Sequence, residues 1–271
     1  MQALFLDGPV GPLFAIHHAA CARRREPRGL VYLPPFAEEM NRSRRMAALQ
    51  ARRLAACGID VLLLDPFGTG DSAGDFSDAR WEIWREDVRA AMAWLVERCD
   101  GPVGLWGLRL GGLLAAEVAA EGFPRPTRLL LWQPVVSGDR FLTQFLRLRV
   151  AAAMGGGGSA EKAADLRARL QDGEVLEVAG YGLAPALAEA IACRHLGDTL
   201  GGLAGLRLDL LEISSREEPT LAPATQQLLE TLSSHKPAPL ARAVGGEPFW
   251  ALQEITLTPA LLDATEALFC S

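Results

Sequence analysis

The sequence predicts an α/β protein: a mostly parallel, twisted sheet with helices on both faces and a helical cap inserted into it. Three observations lead there. Short apolar runs alternate with longer segments of helical periodicity up to about residue 137, and again from Leu206 onward. The strand-like runs are apolar throughout, as strands buried on both faces are. From Gly138 to about Leu203 the alternation fails and helix-like segments follow one another. The expected division is a core of residues 1–137 and 204–271 with a cap of residues 138–203.

Each element follows from its own residues. Two short strand patterns, Ala3 to Leu6 and Leu13 to His17, flank an Asp7-Gly8 turn and add antiparallel strands at one edge. Leu30 to Leu33 is the next strand. Asn41 to Cys57 is helical, with Met46, Leu49 and Leu54 among its apolar positions and Gly58 as its stop. Asp60 to Asp65 is a buried strand. Ser77 or Asp78 caps a helix in which Trp81, Trp84, Val88, Met92 and Leu95 recur at helical spacing. Val103 to Trp106 is a strand, Gly111 to Ala120 a helix and Arg128 to Trp132 a strand. Inside the cap, the run Gly155 to Gly158 reads as a flexible turn, because no phosphate-loop pattern follows it. The sheet resumes with Leu206 to Ile213, a helix from about Pro223 to Leu232, a strand at Leu240 to Val244 and a last helix at Pro259 to Phe269.

Composition sets the outer bounds. The chain has 271 residues, 49% hydrophobic and 22% charged, which is a globular composition. Its 33 acidic residues outnumber 27 basic ones, a poor balance for general nucleic-acid binding. Five cysteines, odd in number, far apart and without a CxxC pair, argue against a disulfide scaffold or a zinc cage. A reducing, cytoplasmic setting is expected, with no metal and no cofactor. Met1 to Pro12 lacks the pattern of a signal peptide. The longest apolar stretch, Gly101 to Ala120, contains Arg109 and Glu117 and is too short and polar for a membrane span.

Ligands of open parallel sheets sit at the carboxyl ends of the strands. After the Val103 strand comes Gly107-Leu108-Arg109-Leu110-Gly111, the frame of the nucleophile elbow G-x-S-x-G with arginine at its centre. After the Asp60 strand comes Asp65-Pro66-Phe67-Gly68-Thr69-Gly70-Asp71-Ser72, which resembles the loop after the neighbouring strand in α/β-hydrolases. With the opening hairpin and the position of the cap, these loops predict the α/β-hydrolase fold.

Several longer stretches carry a narrower resemblance. They are LPPFAEEMN from Leu33, GTGDSAGDF from Gly68, LWGLRLGG from Leu105, LWQPVVSG from Leu131, QFLRLR from Gln144, EVAGY from Glu177 and GEPFWALQEIT from Gly246. Together they resemble the second of the two hydrolase-like proteins of the exosortase A (PEP-CTERM) system. That resemblance implies a bacterial cytoplasmic protein encoded beside exopolysaccharide and exosortase functions. It implies no substrate, because a fold does not fix a function.

A serine hydrolase needs a nucleophile, a histidine base and an orienting acid. The nucleophile position is Arg109, and a guanidinium stays protonated. The histidine position, after the last strand, holds Glu247. The acid position falls within Ser214 to Glu218, where Glu217 or Glu218 fits. None of His17, His18, His195 and His235 stands where a base is needed. A cation at a helix N-terminus requires an anion. One candidate is an internal carboxylate, from Glu247 or from Glu217 or Glu218. The other is a bound carboxylate or phosphate, held with the backbone N–H groups of the elbow.

The loop before Asn41 offers the remaining candidates. If an oxyanion hole is present, its donors are the N–H of Leu110 and one near Phe36 or Ala37. Glu38 and Glu39 pair with Arg42 or Arg109, act as a general base on water, or simply start a helix where acids are favourable. Ser72 is a turn hydroxyl or a displaced nucleophile, and Gly68 to Ala73 only mimics a dinucleotide fingerprint. Trp250 and Trp132 wall the pocket or pack in the core. Arginines at 23–25, 28, 42, 44, 45, 52 and 53 form a solvated surface or a docking patch for an acidic carrier protein or an anionic membrane face.

Three functions follow in order. The first is hydrolysis of an ester or thioester at a site built on Arg109 and a carboxylate. The second is a catalytically silent hydrolase-fold protein that binds an anionic ligand or a partner. The third is a serine hydrolase working through Ser72.

Overall fold

The computed structural model describes residues 1–21, 28–99, 101–122, 124–155, 161–203 and 205–270. Eight strands form one sheet in the order β1-β2-β4-β3-β5-β6-β9-β10. They are β1 (Gln2–Asp7), β2 (Pro12–His18), β3 (Gly29–Leu33), β4 (Asp60–Leu64), β5 (Val103–Leu108), β6 (Arg128–Trp132), β9 (Arg207–Ser214) and β10 (Leu240–Gly245). The β1–β2 and β2–β4 pairs are antiparallel and the rest parallel, the arrangement expected from the opening hairpin and the crossover helices.

Strand side chains alternate between two cores. Val31, Leu33, Leu62 and Leu105 pack on one face with Trp84, Val88 and Met92 of α2 (Trp81–Cys99) and with Leu113 of α3 (Leu110–Glu121). Leu30, Tyr32, Val61 and Trp106 pack on the other with Met46 and Leu54 of α1 (Glu38–Ala56) and Leu261 of α9 (Pro259–Cys270). Every residue of β3, Gly-Leu-Val-Tyr-Leu, is buried, so neither face of this strand is left to water. Trp106 and Trp132 meet edge to face at 4.6 Å, and the Trp132 Nε1–H donates to the Thr265 hydroxyl at 2.9 Å. Trp132 is therefore a core residue.

Neighbours β6 and β9 are far apart in sequence, so the chain between them lies outside the sheet. It holds α4 (Gly138–Gly155), α5 (Ala163–Gln171), a hairpin of β7 (Leu176–Val178) and β8 (Tyr181–Leu183), α6 (Pro185–Ala192) and α7 (Leu196–Gly201). The hairpin is an addition to the expected helical segments. Its strands have three residues each, too few for a periodic pattern, and its turn, Ala179-Gly180, takes positive φ at both positions. Glycines 156–158 of the four-glycine run lie outside the described residues, as do Arg23 to Arg25.

Two element starts also differ from expectation. Helix α1 begins at Glu38 rather than Asn41, and a 3-10 turn, Phe76–Asp78, stands where a cap for α2 was expected. A further correction concerns the cysteines. Cys57, just after α1, and Cys270, closing α9, form a disulfide with their Cα atoms 5.7 Å apart. They are 213 residues apart in sequence, so only the packing of α1 against α9 brings them together. No helix among the described residues is long and apolar enough to cross a membrane.

Candidate functional site

The turn after β5 has the backbone of a nucleophile elbow. Arg109, at φ 54 and ψ −119, joins the strand to α3. Non-glycine residues rarely hold this conformation, at about 1–3 kcal/mol each. Neighbouring bonds pin it: the Arg109 N–H donates to the Trp132 carbonyl at 3.0 Å, and the Arg109 carbonyl accepts from Gly112 at 3.0 Å and Val135 at 3.2 Å. The flanking glycines are required by space. A Cβ on Gly107 would stand 2.4 Å from the Gly112 Cα, and one on Gly111 would stand 2.4 Å from the Leu33 carbonyl oxygen.

A second turn of the same shape lies beside it. Ala37, at φ 50 and ψ −125, joins the loop after β3 to α1. This early start puts Glu38 and Glu39 in the first turn of α1, and Glu39 reaches Arg109. The Arg109 Nε donates to the two Glu39 carboxylate oxygens at 3.3 and 3.4 Å, and Nη2 to one of them at 3.3 Å. A tight charge-assisted pair is nearer 2.7–2.9 Å, so the contact is a loose one. Among the described residues, Arg109 Nη1 has no hydrogen-bond partner.

Burial raises the pKa of Glu39 above the usual carboxylate range, and the Arg109 charge and hydrogen bond partly offset it. Burial also raises Glu38, with Arg42 and Arg109 pulling the other way, and one Glu38 oxygen is buried without a partner. Trp250 is buried in the core, and its ring centre lies 5.4 Å from the Arg109 guanidinium, with that of Phe141 at 5.9 Å. Phe36 is buried at the centre of an aromatic group, 4.9 Å from Phe145 and 5.2 Å from Phe76.

Arg109 borders two cavities. One is a cleft of about 990 Å³ whose walls include Gln133, Gln144, His195, Glu212 and Thr225. The other, of about 150 Å³, is walled by Phe36, Glu38, Glu39, Arg42 and Phe145. Leu110, the first residue of α3, is buried beside Ala37 and Phe36. First-turn N–H groups of a helix have no acceptor within it, so the geometry suits an incoming oxygen.

The other expected residues lie elsewhere. Glu247 is exposed and does not meet Arg109; its backbone carbonyl accepts the Thr258 hydroxyl at 3.0 Å. Glu217 and Glu218 are exposed in the loop after β9. The carboxylate in that region that turns inward is Glu212, a residue within β9 that carries no mark of a site in the sequence. It accepts the Ala222 N–H at 2.9 Å and the Thr225 hydroxyl, so it holds the start of α8 (Pro223–Thr231) on the sheet. The Ser72 hydroxyl donates to the Asp65 carbonyl and accepts the Phe14 N–H at 2.8 Å, the bonds of a turn residue.

Of the four histidines, His195 lines the Arg109 cleft. His17 bonds Asp60 at 2.8 Å, burial pushes His18 down to about 4, and His235 bonds the Pro237 carbonyl. Of the basic cluster, Arg44 pairs with Asp65 and Arg53 with Asp263. Among the described residues, the group with metal-ligand spacing is Cys57, Glu266 and Cys270, whose two sulfurs are joined in the disulfide.

Known proteins agree with this architecture. Carboxymethylenebutenolidase of Pseudomonas sp. (strain P51) is 31% identical over 134 residues, 45% of this chain and 56% of that enzyme, so the match spans just over half of that relative's length. Est1E of Butyrivibrio proteoclasticus, solved with ferulic acid bound, superposes with a TM-score of 0.68 at 13% identity, over 98% of this chain and 97% of its own. A serine hydrolase without a lid from Xanthomonas campestris gives 0.59 at 18% identity, over 98% and 92%. At such identities the two structures speak for the fold alone. Residues 26–204 match the serine aminopeptidase S33 family. The chain therefore belongs to the serine aminopeptidase S33 family and has the α/β-hydrolase fold.

Proposed function

We propose that this protein uses the hydrolase frame to bind an anionic small molecule, a carboxylate or a phosphate, at Arg109, without serine-hydrolase chemistry. One observation carries the proposal: the residue in the strained elbow conformation, bordering the large cleft, is a guanidinium. It offers charge and hydrogen bonds and no nucleophilic oxygen or sulfur. Its pair with Glu39 is loose enough to leave Nη1 for a ligand, and the helix α3 dipole adds to its field. The sequence resemblance supports a role in the cytoplasm, beside exosortase and exopolysaccharide functions. The Cys57–Cys270 bridge pulls the other way, since disulfides are rare in reducing compartments.

A second reading, hydrolysis of an ester or thioester, is favoured by Glu38 and Glu39. Both are carboxyls raised by burial and both border the pocket that Arg109 shares, the environment of a general acid or base. A panel of aryl and alkyl esters and acyl thioesters separates the two readings. Wild type, Arg109→Ala and Glu39→Gln are expected to show the uncatalysed rate throughout. Turnover by the wild type that is lost in both variants would establish the enzyme and overturn the silent site.

A further inference from the structure

We propose that the side-chain amide of Gln133 is the second donor of the Arg109 site, so that one ligand oxyanion bridges Arg109 and Gln133. The proposal rests on the reading of Arg109 as an anion site and adds a residue to it.

Gln133 directly follows β6, at φ 43, a strained value for a residue with a side chain. Two bonds hold it there. Its N–H donates to the Leu211 carbonyl at 2.8 Å, and its side-chain Oε1 accepts the Ile213 N–H at 2.8 Å. A backbone N–H only donates, so the amide oxygen must be the atom facing Ile213, and the orientation of the amide is fixed. The Nε2 amino group is then left at the opposite corner, and among the described residues it has no hydrogen-bond partner. Gln133 and Arg109 line the same cleft. Their strands are neighbours, and the Arg109 N–H is bonded to the residue preceding Gln133.

Arg109 and Gln133, each with a donor that has no partner among the described residues, thus line one cleft from adjacent strand ends. Glu212, the buried acid of that cleft, already has both oxygens engaged by Ala222 and Thr225. The guanidinium, partly neutralised by Glu39, gives charge and the N–H groups of Nη1. A neutral amide held by two strands adds direction without adding charge. Carboxylate and phosphate oxygens both fit such a pair.

The test is a calorimetric titration of the full chain with inorganic phosphate and, separately, with propionate. Wild type is compared with Gln133→Glu and Arg109→Ala. The Gln133→Glu side chain keeps an oxygen to accept the Ile213 N–H and replaces the Nε2 donor by a second oxygen. Its unfolding temperature should match wild type, while the anion that wild type binds should bind at least about tenfold more weakly. Repeating the titration at about 0.5 M salt removes repulsion that acts from a distance, so a loss that persists there places residue 133 against the bound anion. The anion bound more tightly by wild type names the ligand chemistry. Unchanged affinity in Gln133→Glu, or a loss that vanishes in salt, overturns the role of Gln133. If Arg109→Ala alone abolishes binding, the Arg109 site stands without Gln133. If wild type binds neither anion, both proposals fall.

Discussion

Arg128→Ala is expected to lose about 3 kcal/mol of folding stability, because it leaves the buried Asp209 to the half-exposed Arg207, 3.5 Å away. Arg128 and Asp209 are almost fully buried, with Nε 2.5 Å from the carboxylate. The same guanidinium donates to the Leu268 carbonyl at 3.1 Å and lies 3.7 Å from the centre of the Phe269 ring. It therefore ties β6 and β9 to the end of α9. The pair is not ideally satisfied, since Arg128 Nη2 and one Asp209 oxygen are buried without partners, and burial pulls the arginine pKa down. Removing both charges, in Arg128→Met with Asp209→Leu, should consequently cost much less than removing one. Urea unfolding of the single and double variants measures the difference. A single variant within about 1 kcal/mol of wild type would contradict this role.

The second large effect is at the elbow. In a helix, Gly→Ala ordinarily gains about 1 kcal/mol. At Gly111, in the first turn of α3, the sign should reverse. The new Cβ would stand 2.4 Å from the Leu33 oxygen and 2.5 Å from that of Pro34. Both are main-chain atoms at the end of β3, and they cannot rotate away. Gly111→Ala should lose about 3 kcal/mol. Relieving the clash must shift the loop that carries Ala37 and Glu39, so the Arg109–Glu39 contact should loosen as well. At Gly201, a helical glycine of α7, a Cβ would have nothing within 4 Å among the described residues, so Gly201→Ala serves as the control. Equal thermal stability of the two Ala variants would show that the elbow has room to spare.

The fold was largely legible because it is written in local patterns. The apolar run predicts Arg128–Trp132 to the residue and the other core strands within a residue or two, since solid apolar runs between turn residues leave few alternatives. The site was legible in part. The glycine spacing around Arg109 points to the elbow, and of the carboxylates the sequence offers it, Glu39 meets it while Glu247, Glu217 and Glu218 do not. The start of α1 is legible in Glu38 and Glu39, acids that suit a first helical turn, whereas the Ala37 turn of unusual backbone geometry that precedes them has no sequence signature. Gln133 and Glu212 were invisible for a related reason. One is a lone polar residue after an apolar strand and the other lies inside one, and their value depends on which strands become neighbours. The Cys57–Cys270 bridge depends in the same way on two helices packing across the full length of the chain.

The most direct measurement of the central claim is the affinity of the purified chain for phosphate and propionate, with and without the Arg109 guanidinium. Saturable binding of one anion per chain, lost in Arg109→Ala while the unfolding temperature stays near that of wild type, is the predicted result. The same affinity in Arg109→Ala, or no binding to wild type, would contradict an anion site at the elbow.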